Sequence, residues 1–183
     1  ACVPPERRLG FEWWKGFECT HDYQHSYYYF GDDPRPHPWK GYDADAQTDE
    51  ACRYLREETR STGSGQAGDQ PFALFLSWGP PHNPFGTAPA EFEAMYDPEQ
   101  IVLPDNVPEE LADRAREELA GYYAHCSALD AAFGRLMETL SSTGLADNTI
   151  VIFTSDHGDM LGSQGEFRKQ RPWAESVRVP FLV

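Results

Sequence analysis

The longest regular signal in the chain is helical. Leu111, Ala115, Leu119, Tyr122, Cys126, Leu129, Phe133, Leu136 and Leu140 follow one another at spacings of 4, 4, 3, 4, 3, 4, 3 and 4. This is the 3.6-residue period held for about eight turns, and it predicts one long amphipathic helix with these side chains on its inner face. Gly144 follows as a C-terminal stop. A second helix is expected over residues 45–60, with Ala51 and Leu55 facing inward and Thr48 or Asp45 as its cap.

Strand signals bracket the long helix. Phe72 to Trp78 is a continuous apolar run between Pro71 and Gly79, and Thr149 to Thr154 is a second. Their length and lack of polar alternation suit strands buried on both faces. A third apolar run, Val177 to Val183, closes the sequence. Strand, helix and strand in this order imply a parallel pair joined by a right-handed crossover. In open sheets of this kind ligands bind beyond the carboxyl ends of the strands. Two polar loops occupy those ends: His82 after the first run, and Asp156-His157 after the second. Both are expected on one edge of the sheet. The first forty residues, rich in aromatics and prolines, read as an irregular packed region, and residues 61–70 (STGSGQAGDQ) as a mobile turn-rich connection.

The expected fold class is therefore α/β, with a mainly parallel central sheet flanked by helices. A length of 183 residues suits one domain rather than two. The chain opens on Ala1 and closes inside an apolar run, so the domain is expected to continue beyond both ends.

Composition narrows the function classes. The net charge of -15 argues against nucleic acid and anionic membrane surfaces as partners. No apolar stretch approaches the roughly 18 residues of a membrane span. Screening beyond about 8 Å still allows a few local cations to hold an anionic ligand. The four cysteines, Cys2, Cys19, Cys52 and Cys126, form no C-x-x-C pair and leave the compartment open. Cys126, on the inner helix face, reads as a buried inert thiol.

Four residues carry candidate chemistry. Asp156 and His157 set a hard oxygen beside a borderline nitrogen where a strand ends, which suits a metal ion or a simple polar turn about equally. Lys169, between Arg168 and Arg171, can neutralise an anion or belong to a basic surface turn. His82 is held in a proline-rich loop, as a general acid or an anion ligand requires, or it is a packed histidine. His21, His25 and His37 suggest no mechanism from their surroundings. His125 reads as structural, and no local signal ties Asp130 or Asp159 to a site.

Taken together these motifs resemble the sulfatase family of the alkaline phosphatase superfamily. The strongest match runs from Asn148 to Ser163 (NTIVIFTSDHGDMLGS), followed by Lys169-Gln170 and by Arg178 to Val183. Further matches are Pro71 to Pro84 (PFALFLSWGPPHNP), Tyr122-Tyr123-Ala124 with Asp130, and Val3 to Phe11 with His21 and Tyr23. The resemblance implies part of an alkaline-phosphatase-like sandwich and hydrolysis of a sulfate ester, borne by a small molecule or a glycan. It implies a divalent cation, Ca²⁺ first with Mg²⁺ or Mn²⁺ as alternatives, and a formylglycine nucleophile made from Cys or Ser in C/S-x-P-S-R. Asp156 and His157 match the family's later pair of metal ligands. His82 matches the histidine that contacts the sulfate or protonates the leaving oxygen, and Lys169 the lysine on sulfate and leaving group. The family leans towards a periplasmic or secreted setting.

The departures are specific. After Cys2, Pro5 and Glu6 stand where the nucleophile motif needs Ser and Arg, so Cys2 is rejected as the catalytic cysteine, and the nucleophile is expected upstream of Ala1. The isolated segment is then expected to be inactive. Gln164 stands where many relatives have His, and Ala174 where many have Glu. Two other readings remain open: a phosphate or phosphonate ester hydrolase of the same superfamily, and a non-catalytic metal- or glycan-binding relative.

Overall fold

The computed structural model describes residues 3–17, 20–60 and 71–183. The predicted connection 61–70, and Cys2 and Cys19, lie outside the described residues. Tyr27-Tyr28-Tyr29-Phe30 is a run of good strand formers, and it forms the centre of a small antiparallel sheet. The strands are β1 (Lys15–Gly16), β2 (Tyr27–Phe30) and β3 (His37–Pro38), in the order β1-β2-β3. This corrects the expectation of an irregular first forty residues. Lys15 sits inside the sheet's aromatic surface, 4.7 Å from the Tyr28 ring centroid and 5.3 Å from that of Phe30, and its Nζ pairs with Glu50 at 2.8 Å.

Helix α1 (Asp43–Arg60) begins two residues earlier than the pattern suggested, and buries Ala51 and Leu55 as expected. Thr48 does not cap it. Its hydroxyl is buried mid-helix and donates back to the Ala44 carbonyl at 2.6 Å, while Asp45 in the first turn pairs with Arg135 at 2.9 Å. After the short α2 (Ala90–Glu93), α3 (Ala112–Ser142) follows a single 3-10 turn over Glu109–Leu111. Gly144, at φ +73°, ends it as predicted.

The buried stripe of α3 is rotated from the predicted one. Ala115, Leu119, Leu129 and Leu140 are buried, but so are Ala120, Ala124, Ala128, Ala132 and His125, while Tyr122, Cys126, Phe133 and Leu136 are only half-buried. Alanines at four-residue spacing let neighbouring backbone approach closely, so the deepest face carries the smallest side chains. The bulky positions flank it. Cys126 is thus half-buried rather than fully buried as expected, and desolvation still raises its thiol to about 11, which keeps it protonated.

The two apolar runs are extended, and both dock on the helices. Phe72, Leu74 and Val151 pack against Leu55, Leu140 and Leu145. Exposure alternates along each run, however, and Phe75 and Ile150 are each 80% exposed. One face is covered rather than both. The hydrogen-bonded ladder at this level is antiparallel: β4 (Phe153–Thr154) pairs with β5 (Phe181–Leu182), after α4 (Ala174–Val177). Among the described residues no ladder joins 72–78 to 149–154, so the predicted parallel pairing is seen only as two extended runs docked on one core cluster. No helix among the described residues is long and apolar enough to cross a membrane.

Candidate functional site

His82 stands at the end of the first extended run, in a turn closed by its own amide on the Gly79 carbonyl at 3.2 Å. The turn rests on Tyr23, 1% exposed, whose hydroxyl donates to the His82 carbonyl at 2.9 Å. Gly79 permits this: a Cβ there would lie 2.9 Å from the Tyr23 ring. Below the loop runs α3. A Cβ at Gly121 would lie 2.4 Å from the Phe85 carbonyl oxygen, so the loop touches the helix backbone at that point.

One helical turn further on, His125 is fully buried. Its Nε2 lies 3.3 Å from the Pro84 carbonyl and its Nδ1 2.8 Å from the Tyr42 hydroxyl. A carbonyl only accepts, so Nε2 carries the proton and Nδ1 accepts from Tyr42. Burial lowers the His125 pKa to about 4, against a smaller opposing effect of the Pro84 carbonyl.

Several contacts hold the His82 ring. Its Nδ1–H donates to the Asn83 carbonyl at 2.9 Å, so Nε2 holds a lone pair, and Lys169 Nζ donates to it at 2.5 Å. His21 stacks on the ring, with centroids 4.7 Å apart and planes 17° from parallel. His157 meets it edge-on at 6.0 Å. The His82 pKa is lowered, first by burial and then by the positive charge of Lys169 with lesser electrostatic effects of the two neighbouring histidines, while the Asn83 carbonyl works the other way.

Lys169 reaches this point through a tightly folded loop. Asp159 Oδ1 accepts the amides of Leu161 at 3.1 Å and Arg168 at 3.0 Å. Arg168 and Gln170, on either side of Lys169, take left-handed backbone at φ +73° and +70°. The Arg168 guanidinium pairs with Glu118 of α3 at 2.7 Å and lies over the Phe85 ring. Glu118, Gly121 and His125 thus share one face of α3. The first holds the Lys169 loop and the other two hold the His82 loop.

Asp156 and His157 follow β4 directly. Asp156 Oδ1 accepts the His157 amide at 3.0 Å, and its carboxylate is 86% exposed. His157 donates from Nδ1 to the Gly158 carbonyl at 2.7 Å, which leaves a lone pair on Nε2, 3.7 Å from Asp156 Oδ2. Gly158 has to be glycine: a Cβ would lie 2.0 Å from the Glu175 carbonyl oxygen, at the contact that places the pair against α4. One hard oxygen and one nitrogen facing the same space fit one side of a divalent cation's shell. Among the described residues no group of three or more His, Cys, Asp or Glu could hold an ion unaided.

His82, Lys169, His157 and Asp156 therefore meet at one rim, as the two strand ends predicted. The basic cluster around Lys169 divides. Arg168 goes to Glu118 and Arg171 to Glu166, so Lys169 alone of the three points to His82. Asp159 braces the loop, and Asp130 is exposed on α3. His25 and His37 pair with Asp22 and Asp33. His21 is the member that local reading missed. Its signal was Tyr23 two residues on, which anchors the same segment to the His82 loop. Gln164 is exposed, with its amide on the Asn106 carbonyl, and Ala174 opens α4.

The fold is of the alkaline-phosphatase-like class. The comparisons narrow this further. The Sulfatase family profile matches residues 3–183, and the chain belongs to that family. It is 43% identical, over all of its length and 35% of the relative's, to an ulvan-active sulfatase of Formosa agariphila. It is 30% identical to an endo-4-O-sulfatase of Bacteroides thetaiotaomicron, covering 36% of that protein. The chain thus spans about a third of the length of these relatives. The putative sulfatase yidJ of Bacteroides fragilis superposes on 97% of this chain and 39% of its own, with a TM-score of 0.87 at 30% identity. A phosphonate monoester hydrolase of Agrobacterium radiobacter, at 23% identity and a TM-score of 0.60, shares the fold alone.

Proposed function

We propose that the protein bearing this chain is a sulfuric ester hydrolase whose substrate is a sulfated glycan. The observation that carries the reading is the Lys169–His82 pair, set beside His157 and Asp156 in a strongly acidic chain. An ammonium donating to a neutral imidazole puts a proton where a departing ester oxygen would sit. The ammonium carries three donors, so a second N–H can serve that oxygen while His82 Nε2 holds Nζ in line. The same Nζ would set its positive charge beside the sulfuryl oxygens, where negative charge grows as the S–O bond opens.

Asp156 and His157 Nε2 would hold a divalent cation, Ca²⁺ first by the chemistry of the family. Such an ion supplies Lewis-acid stabilisation of the sulfuryl group. The attacking group, a formylglycine by family resemblance, is expected outside this chain. The relatives named for ulvan and for endo-4-O action support a glycan over a simple aryl ester.

The test is release of inorganic sulfate by the intact protein from 4-nitrophenyl sulfate and from ulvan oligosaccharides, with and without EDTA. Chelator-sensitive release is expected. A higher kcat/KM on a phosphonate monoester than on every sulfate ester tried contradicts the reading.

A further inference from the structure

We infer that His21 is a specificity-determining residue that contacts the glycan carrying the sulfate group. The inference rests on the proposed function and deepens it. His21 is exposed, and lies on a segment tied to the His82 loop from two sides. Tyr23 donates to the His82 carbonyl at 2.9 Å, and Gln24 Nε2 donates to the Thr87 carbonyl at 2.8 Å. The segment is also folded on itself, with Asp22 Oδ1 accepting the amides of Gln24 and His25. His21 is therefore presented at a fixed point rather than on a loose loop. That point is the face of the His82 ring, 4.7 Å away and nearly parallel.

The placement has a consequence for the substrate. The Nε2 edge of His82 is taken by Lys169, a third side faces His157, and His21 covers one face of the ring. A leaving oxygen that accepts from Nζ sits beside the His82 ring, which sets its carbon skeleton near the exposed His21. An imidazole there can donate to and accept from sugar hydroxyls, and it presents a ring face to the C–H side of a pyranose. A flat aryl group has no hydroxyls for it to bind. The expected ligand class is thus a polyhydroxylated sulfate ester, with His21 engaging the sugar and Lys169 with His82 engaging the ester oxygen.

The experiment compares the intact wild-type protein with His21→Ala and His21→Gln, using ulvan oligosaccharides and 4-nitrophenyl sulfate as probes. His21→Ala is expected to lower kcat/KM on the oligosaccharides at least tenfold more than on the aryl ester, whose own loss reads the support that His21 gives the His82 ring. His21→Gln, which keeps a donor and an acceptor, is expected to recover part of the loss. An equal loss on both probes shows that His21 only supports His82 and overturns the inference, as does an unchanged oligosaccharide rate. A wild-type protein silent on both probes contradicts the proposed function itself, and the inference with it.

Discussion

Replacing His125 with leucine tests the buried anchor beneath the His82 loop. Near neutral pH the substitution strands the buried Tyr42 hydroxyl and removes the bond to the Pro84 carbonyl, which Thr87 still satisfies at 2.8 Å. A stranded buried hydroxyl costs about 1–3 kcal/mol and a lost neutral hydrogen bond about 1, so a deficit of roughly 2–4 kcal/mol is expected at pH 7.5. The pH dependence is the sharper part. His125 has its folded pKa depressed from 6.5 to about 4, so the unfolded chain binds the extra proton between those values. Wild-type stability from this group is fully present above 6.5 and is lost as pH falls towards 4. At pH 5 the loss is 1.5 pH units below 6.5, about 2 kcal/mol.

A leucine side chain cannot titrate, so the gap between variant and wild type should shrink by about that amount at pH 5. Asp43 acts in the opposite sense. Burial raises its pKa from 3.8 to about 6, so its contribution to stability is lost as pH rises through that interval. Being common to both proteins, it cancels in the difference. Urea denaturation of the intact wild-type and His125→Leu proteins at pH 7.5 and 5.0 gives the four free energies needed. A deficit unchanged between the two pH values would show that His125 is not a buried neutral donor, and the reasoning fails.

Three further outcomes follow from the same geometry. Gly121→Ala places a Cβ 2.4 Å from the Phe85 carbonyl and should cost about 1–3 kcal/mol, lowering Tm; an unchanged Tm would contradict the close approach. Gly158→Ala meets the Glu175 carbonyl at 2.0 Å, so it should both lower Tm and weaken hydrolysis by displacing Asp156 and His157 from α4; full activity would refute that placement. Asp159→Ala frees the amides of Leu161 and Arg168 at a cost of about 1.5–3 kcal/mol. It should lower kcat through a loosened Lys169 while Tm falls modestly, and an unaltered kcat argues against the loop's bracing role.

The site was more legible in the sequence than the sheet was. Polar loops at the ends of two apolar runs placed His82 and Asp156-His157 on one edge, because the strand, helix, strand order implies two runs pointing the same way over one core. Here Phe72, Leu74 and Val151 do share one. The same runs hid their exposure: an all-apolar segment carries no alternation, so Phe75 and Ile150 looked as buried as Leu74. The small N-terminal sheet was missed because turns dense in Pro, Gly and Asp masked the four-residue strand Tyr27–Phe30. Periodicity found α3 within a residue or two, but its deepest stripe follows the alanines and His125. Hydrophobic spacing registers bulk, whereas the closest helix contact selects for smallness. His21 was invisible locally, since its partner lies about sixty residues away and the contact exists only in the fold.

The account stands or falls on whether the rim residues act as one site, and hydrolysis of 4-nitrophenyl sulfate by the intact protein, read alongside its bound metal, tests this most directly. Asp156→Ala should lose both the metal and turnover, whereas Lys169→Ala should keep the metal and lose about 10²–10³-fold in kcat, the cost of removing one group that stabilises developing charge. Undiminished turnover in either variant would contradict it.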